Sequence, residues 1–179
     1  MNGIREAFER ARLDAGEIDR ALAATEAYLT ANAGHPVATA YRGSLHGMKA
    51  GAAFLPWVKL RHVEIASALL DEAHARRREA AAAAPHEAAY PADLEILLLR
   101  GIAYASFPPF LGRGAAARAS LEEAVAHPAF TGIPARYRAL AFAHLSLLCG
   151  RDSEDAAARR FRERAMEADG FTTRQICEA

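Results

Sequence analysis

Apolar residues recur at three- and four-residue intervals along most of the chain, the spacing that lines one face of an α-helix. Ile4, Phe8, Ala11 and Leu13 predict a short helix over 2–13, broken at Asp14-Ala15-Gly16. Ile18, Ala21, Leu22, Thr25, Tyr28 and Leu29 predict a second over 17–33, which Gly34-His35-Pro36 stops in the expected order of glycine then proline. A third covers 37–53, with Ala40, Gly43, Leu45 and Met48 among its apolar or small positions. Phe54-Leu55-Pro56-Trp57 interrupts it, and Pro56 suits the first position of the next helix, where its missing amide has no helical partner to lose. Leu60, Val63, Ile65, Ala66, Leu69, Leu70 and Ala73 carry that helix, expected to run unbroken past Arg78 to Ala84 as the longest in the chain.

After a loop over 85–91, Leu94, Leu97, Leu98, Ile102 and Ala103 mark a helix from Ala92 that ends at Phe107-Pro108-Pro109-Phe110. That joint echoes Phe54-Leu55-Pro56-Trp57. The next helix spans 114–126 and stops at His127-Pro128, and two more are expected over 135–149 and 153–168. Ser153 is a plausible cap for the last and Gly170 its stop, leaving 171–179 as a short frayed tail. The prediction is an all-α chain of about four helix pairs, with 1–170 as one helical domain.

Three stretches read alike: Tyr41-Arg42-Gly43-Ser44-Leu45-His46, Leu99-Arg100-Gly101-Ile102-Ala103-Tyr104 and Tyr137-Arg138-Ala139-Leu140-Ala141-Phe142. Each has an apolar or aromatic residue, an arginine, a small residue and, three positions after that, a ring. An internal echo of this kind points to a repeat. Ala24, Tyr28, Ala31 and Pro36 follow the small, aromatic, small, proline spacing of the second helix of a tetratricopeptide repeat (TPR), and Leu97, Gly101 and Tyr104 follow the spacing of its first helix. The chain therefore resembles that family over nearly its whole length, with degenerate repeats. The resemblance implies a right-handed α-α superhelix of antiparallel helix pairs whose first helices line a concave groove. It also implies that Ala24 and Ala31 allow close helix packing while Tyr28 fills the gap between helices.

Composition narrows the function classes. Lys plus Arg and Asp plus Glu number 22 each, so no net basic field recruits nucleic acid or an anionic membrane. Only Lys49 and Lys59 are lysines; the arginine preference reads as the codon bias of a GC-rich, bacterial genome. Cys149 and Cys177 form no motif, which fits a reduced cytoplasmic compartment. Glu95 and Arg100 interrupt the best candidate for a membrane span, so no membrane insertion is expected. The seven histidines show no metal-ligand spacing, and no cofactor is expected.

Candidate chemistry is sparse. No Ser-His-Asp order or nucleophile elbow is present, and Glu122-Glu123 and Glu154-Asp155 point apart on a helix, so no catalytic residue is assigned. Gly112-Arg113-Gly114-Ala115-Ala116-Ala117 fits the glycine pattern of a dinucleotide site, which requires a preceding strand. With Phe107-Pro108-Pro109-Phe110 before it in place of a strand, it reads instead as a glycine-assisted helix start; Arg113, Gly114 and Arg118 are anion-binding candidates because a helix N-terminus favours anions. His46 takes the ring position of Tyr104 and Phe142 and reads as a packing residue; His62 and His74 read as surface or boundary residues. Arg42, Arg100 and Arg138 stand where the TPR family has an apolar side chain. They either line the groove and receive a peptide's carboxylates or lie on neighbouring helices paired to acids, such as Glu95 or Asp93 for Arg100. Trp57 is either an exposed anchor or a filler of the helix break. Arg76-Arg77-Arg78 reads as a solvated helix end.

The resemblance implies non-catalytic recognition of a protein or peptide as an adaptor, scaffold or assembly factor, with Arg42, His46, Lys49, Trp57, Arg100, Tyr104 and Arg138 as the groove candidates. The alternative is a small-ligand sensor or enzyme with a pocket between the second and third helix pairs, around His46, Lys49, Tyr104 and Arg113. A homo-oligomeric structural subunit is a third possibility.

Overall fold

A computed structural model of the chain describes residues 1–83 and 91–177, and every regular element in them is helical. The predicted loop over 85–91 falls, up to residue 90, outside the described residues, as does the expected helix end at Ala84. The chain divides into two compact units, residues 1–85 and 86–179.

Unit 1 holds α1 (Asn2–Leu13), a 3-10 turn (Ala15–Glu17), α2 (Ile18–Ala31), α3 (Pro36–Ala52), α4 (Pro56–Ala75) and α5 (Arg77–Ala83). The unit is built around α3, which packs against each of the others. Its small residues explain why. Ala38, Ala40 and Gly43 are buried among neighbours close enough that a Cβ on Gly43 would sit 2.8 Å from Leu70 Cγ and 3.2 Å from the Ala66 carbonyl oxygen. Tyr41 of the same helix meets Phe8 of α1 edge to face at 4.9 Å. Pro36 opens α3, and the His35 ring accepts a hydrogen bond from the Ala38 amide.

Two expectations for this unit are corrected. Ala24 and Ala31 are exposed, so α2 packs instead through Ile18, Ala21, Leu22 and Thr25; Tyr28 is half-buried against the His35 ring. The expected long helix is broken at Arg76, where α4 ends and α5 begins. Arg76 is no solvated helix end. Its Nη1 donates to the Gly34 carbonyl at 2.6 Å and its Nε to Glu79 at 3.1 Å, tying the helix break to the α2–α3 turn. Gly34 holds a left-handed φ of 70°, and a Cβ there would lie 2.8 Å from that guanidinium.

Unit 2 holds α6 (Ala92–Ala105), a 3-10 turn (Pro109–Leu111), α7 (Gly114–Ala126), a second 3-10 turn (Phe130–Gly132), α8 (Ala135–Arg151) and α9 (Asp155–Cys177). Here α8 is central, with Ala139 to Ser146, Leu148 and Cys149 all buried. Gly101 of α6 repeats the work of Gly43: a Cβ would stand 2.6 Å from Leu121 Cγ of α7. The expected TPR pair Leu97 and Tyr104 is buried on the same helix, each 1% exposed.

At its C-terminal end this unit departs from expectation. Ser153 is not a cap but a left-handed turn residue with φ 60°. The last helix breaks at the extended residue Asp169, one residue before the expected stop at Gly170, but a further helical segment resumes to Cys177; α4, with 20 residues, is the longest unbroken helix among the described residues. Asp169 recaps it, Oδ1 accepting from the amides of Phe171 and Thr172 and Oδ2 from the Thr172 hydroxyl at 2.6 Å. With Thr172 and Thr173 buried, 171–177 is an anchored helical turn rather than a frayed tail.

Candidate functional site

Residues spaced by four and then three share a helix face, so Arg42, His46 and Lys49 form one strip along α3. Helices α2 and α4 supply its borders. Arg42 Nη2 donates to Glu26 Oε1 at 3.0 Å, and Lys49 Nζ pairs with Asp19 Oδ1, both acids standing on α2. Between the cations, His46 and the α4 residue His62 stack with ring centroids 5.2 Å apart and their Nδ1 atoms at 3.0 Å.

That short nitrogen–nitrogen contact requires one Nδ1 to be a bare acceptor, so at least one ring is neutral. His46 is the better acceptor. Burial, reinforced by His62 and Arg42, lowers its pKa to about 4. Burial followed by the charges of Lys49 and Arg61 lowers His62 as well. The strip is therefore cation, neutral ring pair, cation. Its counter-ions are the loose part: the Glu26 and Asp19 side chains are 53% and 76% exposed, against 35% and 37% for Arg42 and Lys49. Arg42 Nε is buried with no hydrogen-bond partner among the described residues.

In unit 2 the equivalent positions are turned inward. Arg100 Nη1 donates to the Ala116 carbonyl at 3.2 Å and to Ser120 Oγ at 2.6 Å, on α7, and its guanidinium lies 4.8 Å from the Tyr104 ring centre. This is the packing reading, carried by a carbonyl and a hydroxyl of α7; Asp93, one of the acids expected to pair with Arg100, pairs with His127. Arg138 Nη1 donates to the Thr131 carbonyl at 3.1 Å.

The anion-binding candidates do not converge. Arg113 lies 5.2 Å from the Tyr104 ring centre, and Gly114 is the first residue of α7. Arg118 grips both oxygens of Glu154 at 2.8 and 2.7 Å and also reaches Glu122 and Asp152, hydrogen bonds that raise its pKa. The glycine pattern at 112–117 follows a 3-10 turn, with no strand among the described residues, so the dinucleotide reading lacks the context it requires. The four residues of the expected pocket divide between the units, His46 and Lys49 in one and Tyr104 and Arg113 in the other, each engaged within its own.

Trp57 is exposed, on the first turn of α4, with 67% of its surface free. Glu26, Asp19 and the partnership of His62 escaped the sequence reading. No group of three His, Cys, Asp or Glu side chains among the described residues is placed to hold a metal ion, and no helix among them is long and apolar enough to cross a membrane. No protein-family model matches the chain, and neither a curated protein nor a solved structure matches it.

Proposed function

We propose that this chain is a non-catalytic, TPR-like helical repeat module that binds a protein or peptide along the α3 strip of unit 1. The observation carrying this reading is the imbalance in the two ion pairs: partly buried, positioned cations face acids that are mostly in solvent. Exposed ion pairs of this kind contribute only ~0–1 kcal/mol, so a ligand carboxylate can replace Glu26 or Asp19 at little cost. The neutral histidine pair between the cations offers a flat, weakly polar seat. The shared glycine-to-leucine approaches of α3 on α4 and α6 on α7 support the repeat reading, since equivalent residues do equivalent packing work.

The test is affinity capture from the native host with the full chain, read by mass spectrometry beside an Arg42→Ala/Lys49→Ala variant. A partner held by the wild type and lost by the variant at unchanged far-UV circular dichroism supports the reading. Equal capture by both refutes it.

A further inference from the structure

Unit 1 exposes its largest apolar side chains at one end. Leu13 closes α1 at 89% exposure, and the α3–α4 joint and first turns of α4 present Phe54 at 93%, Leu55 at 40%, Trp57 at 67% and Leu60 at 48%. The two joints belong to the same end of the unit, because the 3-10 turn after α1 touches α3 and Asp19 at the start of α2 pairs with Lys49 in the last turns of α3. Buried neighbours do not account for these residues; folding has left them in water.

On the α3–α4 side the charge beside them is basic, while the α1–α2 joint next to Leu13 carries Asp14, Glu17 and Asp19. Between Glu26 and Glu64 the sequence has no Asp or Glu, and the chain's only lysines, Lys49 and Lys59, both fall in that interval with Arg42 and Arg61. Lys49 is committed to Asp19, whereas Lys59 and Arg61 are exposed and make no ion pair among the described residues. At a rise of 1.5 Å per residue they stand about 5 and 8 Å along α4 from Pro56, on either side of Leu60 and behind Phe54, Leu55 and Trp57.

We propose that this end of unit 1 docks peripherally on an anionic lipid surface, with Phe54, Leu55, Trp57, Leu60 and Leu13 entering the headgroup–acyl boundary and Lys59 and Arg61 meeting the phosphates. Shape decides for lipid over a folded partner. Side chains as free as Phe54 and Leu13 stand proud of two separate turns, so a rigid protein would need a matched pocket for each, while a bilayer conforms to both. The ordering of an apolar and aromatic tip followed by basic residues is that of an interfacial anchor, whose apolar side enters by about 5–10 Å. This contact is independent of the α3 strip and adds a location to whatever the strip binds.

Trp57 is the only tryptophan and so reports on the site directly. The full chain is mixed with phosphatidylcholine vesicles, with or without phosphatidylglycerol, and followed by tryptophan emission and co-sedimentation. A blue shift and sedimentation with the anionic vesicles are expected, weakened by salt, with about tenfold or more lost on neutral vesicles and in Lys59→Glu/Arg61→Glu. Phe54→Ala/Leu60→Ala keeps the reporter and is expected to lose the blue shift at unchanged helicity. No shift or sedimentation with anionic vesicles, or equal binding to neutral ones, overturns the proposal. So does a shift produced by a polyglutamate peptide and not by vesicles, which assigns the tip to an acidic protein, or one produced by raising the protein concentration alone, which assigns it to a second copy of this chain.

Discussion

The His46–His62 contact makes unit 1 sensitive to mild acid, and the size of the effect follows from the burial that holds His46 neutral. In the unfolded chain His46 accepts a proton near its ordinary pKa of 6.5, whereas in the fold it does so at about 4. Between these values the unfolded state binds more protons, so stability is fully present above about pH 6.5 and is lost progressively as the pH falls towards 4. Linkage between the two values gives a loss of ~2 kcal/mol at pH 5 and ~3 kcal/mol at pH 4, with almost none at pH 7. His62, lowered in the same direction, adds to the loss. Because the chain has two compact units, the readout must belong to unit 1: amide hydrogen exchange in α3, corrected for intrinsic rates, should show protection falling ~30-fold between pH 7 and pH 5. His46→Phe, which installs the ring type of Phe142, should remove most of that fall, and the His46 ring protons in the wild type should titrate with a midpoint near pH 4. A midpoint near 6.5, or the same pH dependence of α3 protection in wild type and variant, would refute the reasoning.

Two further predictions concern packing and capping. Gly101→Ala places a Cβ 2.6 Å from Leu121 Cγ and should destabilise unit 2 by ~1–3 kcal/mol despite alanine's better helix propensity, whereas Gly51→Ala, with open space around it, should stabilise by up to ~1 kcal/mol; urea titration followed by circular dichroism distinguishes the two signs. Asp169→Ala removes the acceptor for two amides and a hydroxyl, so amides over 170–177 should exchange faster while those of α8 do not change. Hydrogen bonds from Thr172 hold the Asp169 carboxyl below its ordinary pKa, so the same end of α9 should loosen in the wild type as the pH falls through that lowered value.

Eight of the helices and most of their boundaries were legible because hydrophobic period and Gly/Pro punctuation are local signals. Pro56 and Gly114 each open the helix that their position implies, while Pro36, read as a stop for α2, is also the first residue of α3. What the period could not reveal was continuity: Arg76 sits in an unbroken helical pattern, and its break is stabilised by a hydrogen bond to Gly34, a residue 42 positions away. For a similar reason Ser153 does not take the cap role expected of it. A residue fit to cap a helix does so only where the backbone arrives extended; Ser153 is left-handed, whereas Asp169 is extended and caps the segment that follows it.

The strip was half legible, and its missing half follows a rule that the sequence does contain. In two antiparallel helices joined by a tight turn, residues equidistant from the turn lie level with each other. Glu26 and Arg42 stand eight residues either side of Gly34, and Asp19 and Lys49 fifteen either side of it. His46 and His62 stand eight either side of Phe54, and Arg100 and Ala116 eight either side of Pro108. Once the turns are fixed by their glycines and prolines, reflecting Arg42, Lys49, His46 or Arg100 through the nearest turn finds its partner. The same reflection explains why the arginine of each repeated stretch meets a different fate. The residue opposite Arg42 is an exposed glutamate, which leaves the guanidinium open to exchange, while opposite Arg100 it is a backbone carbonyl with Ser120 beside it, which does not. One repeated position thus supplies an exposed ion pair in unit 1 and a packing side chain in unit 2, and the difference lies in the facing helix rather than in the repeated stretch itself.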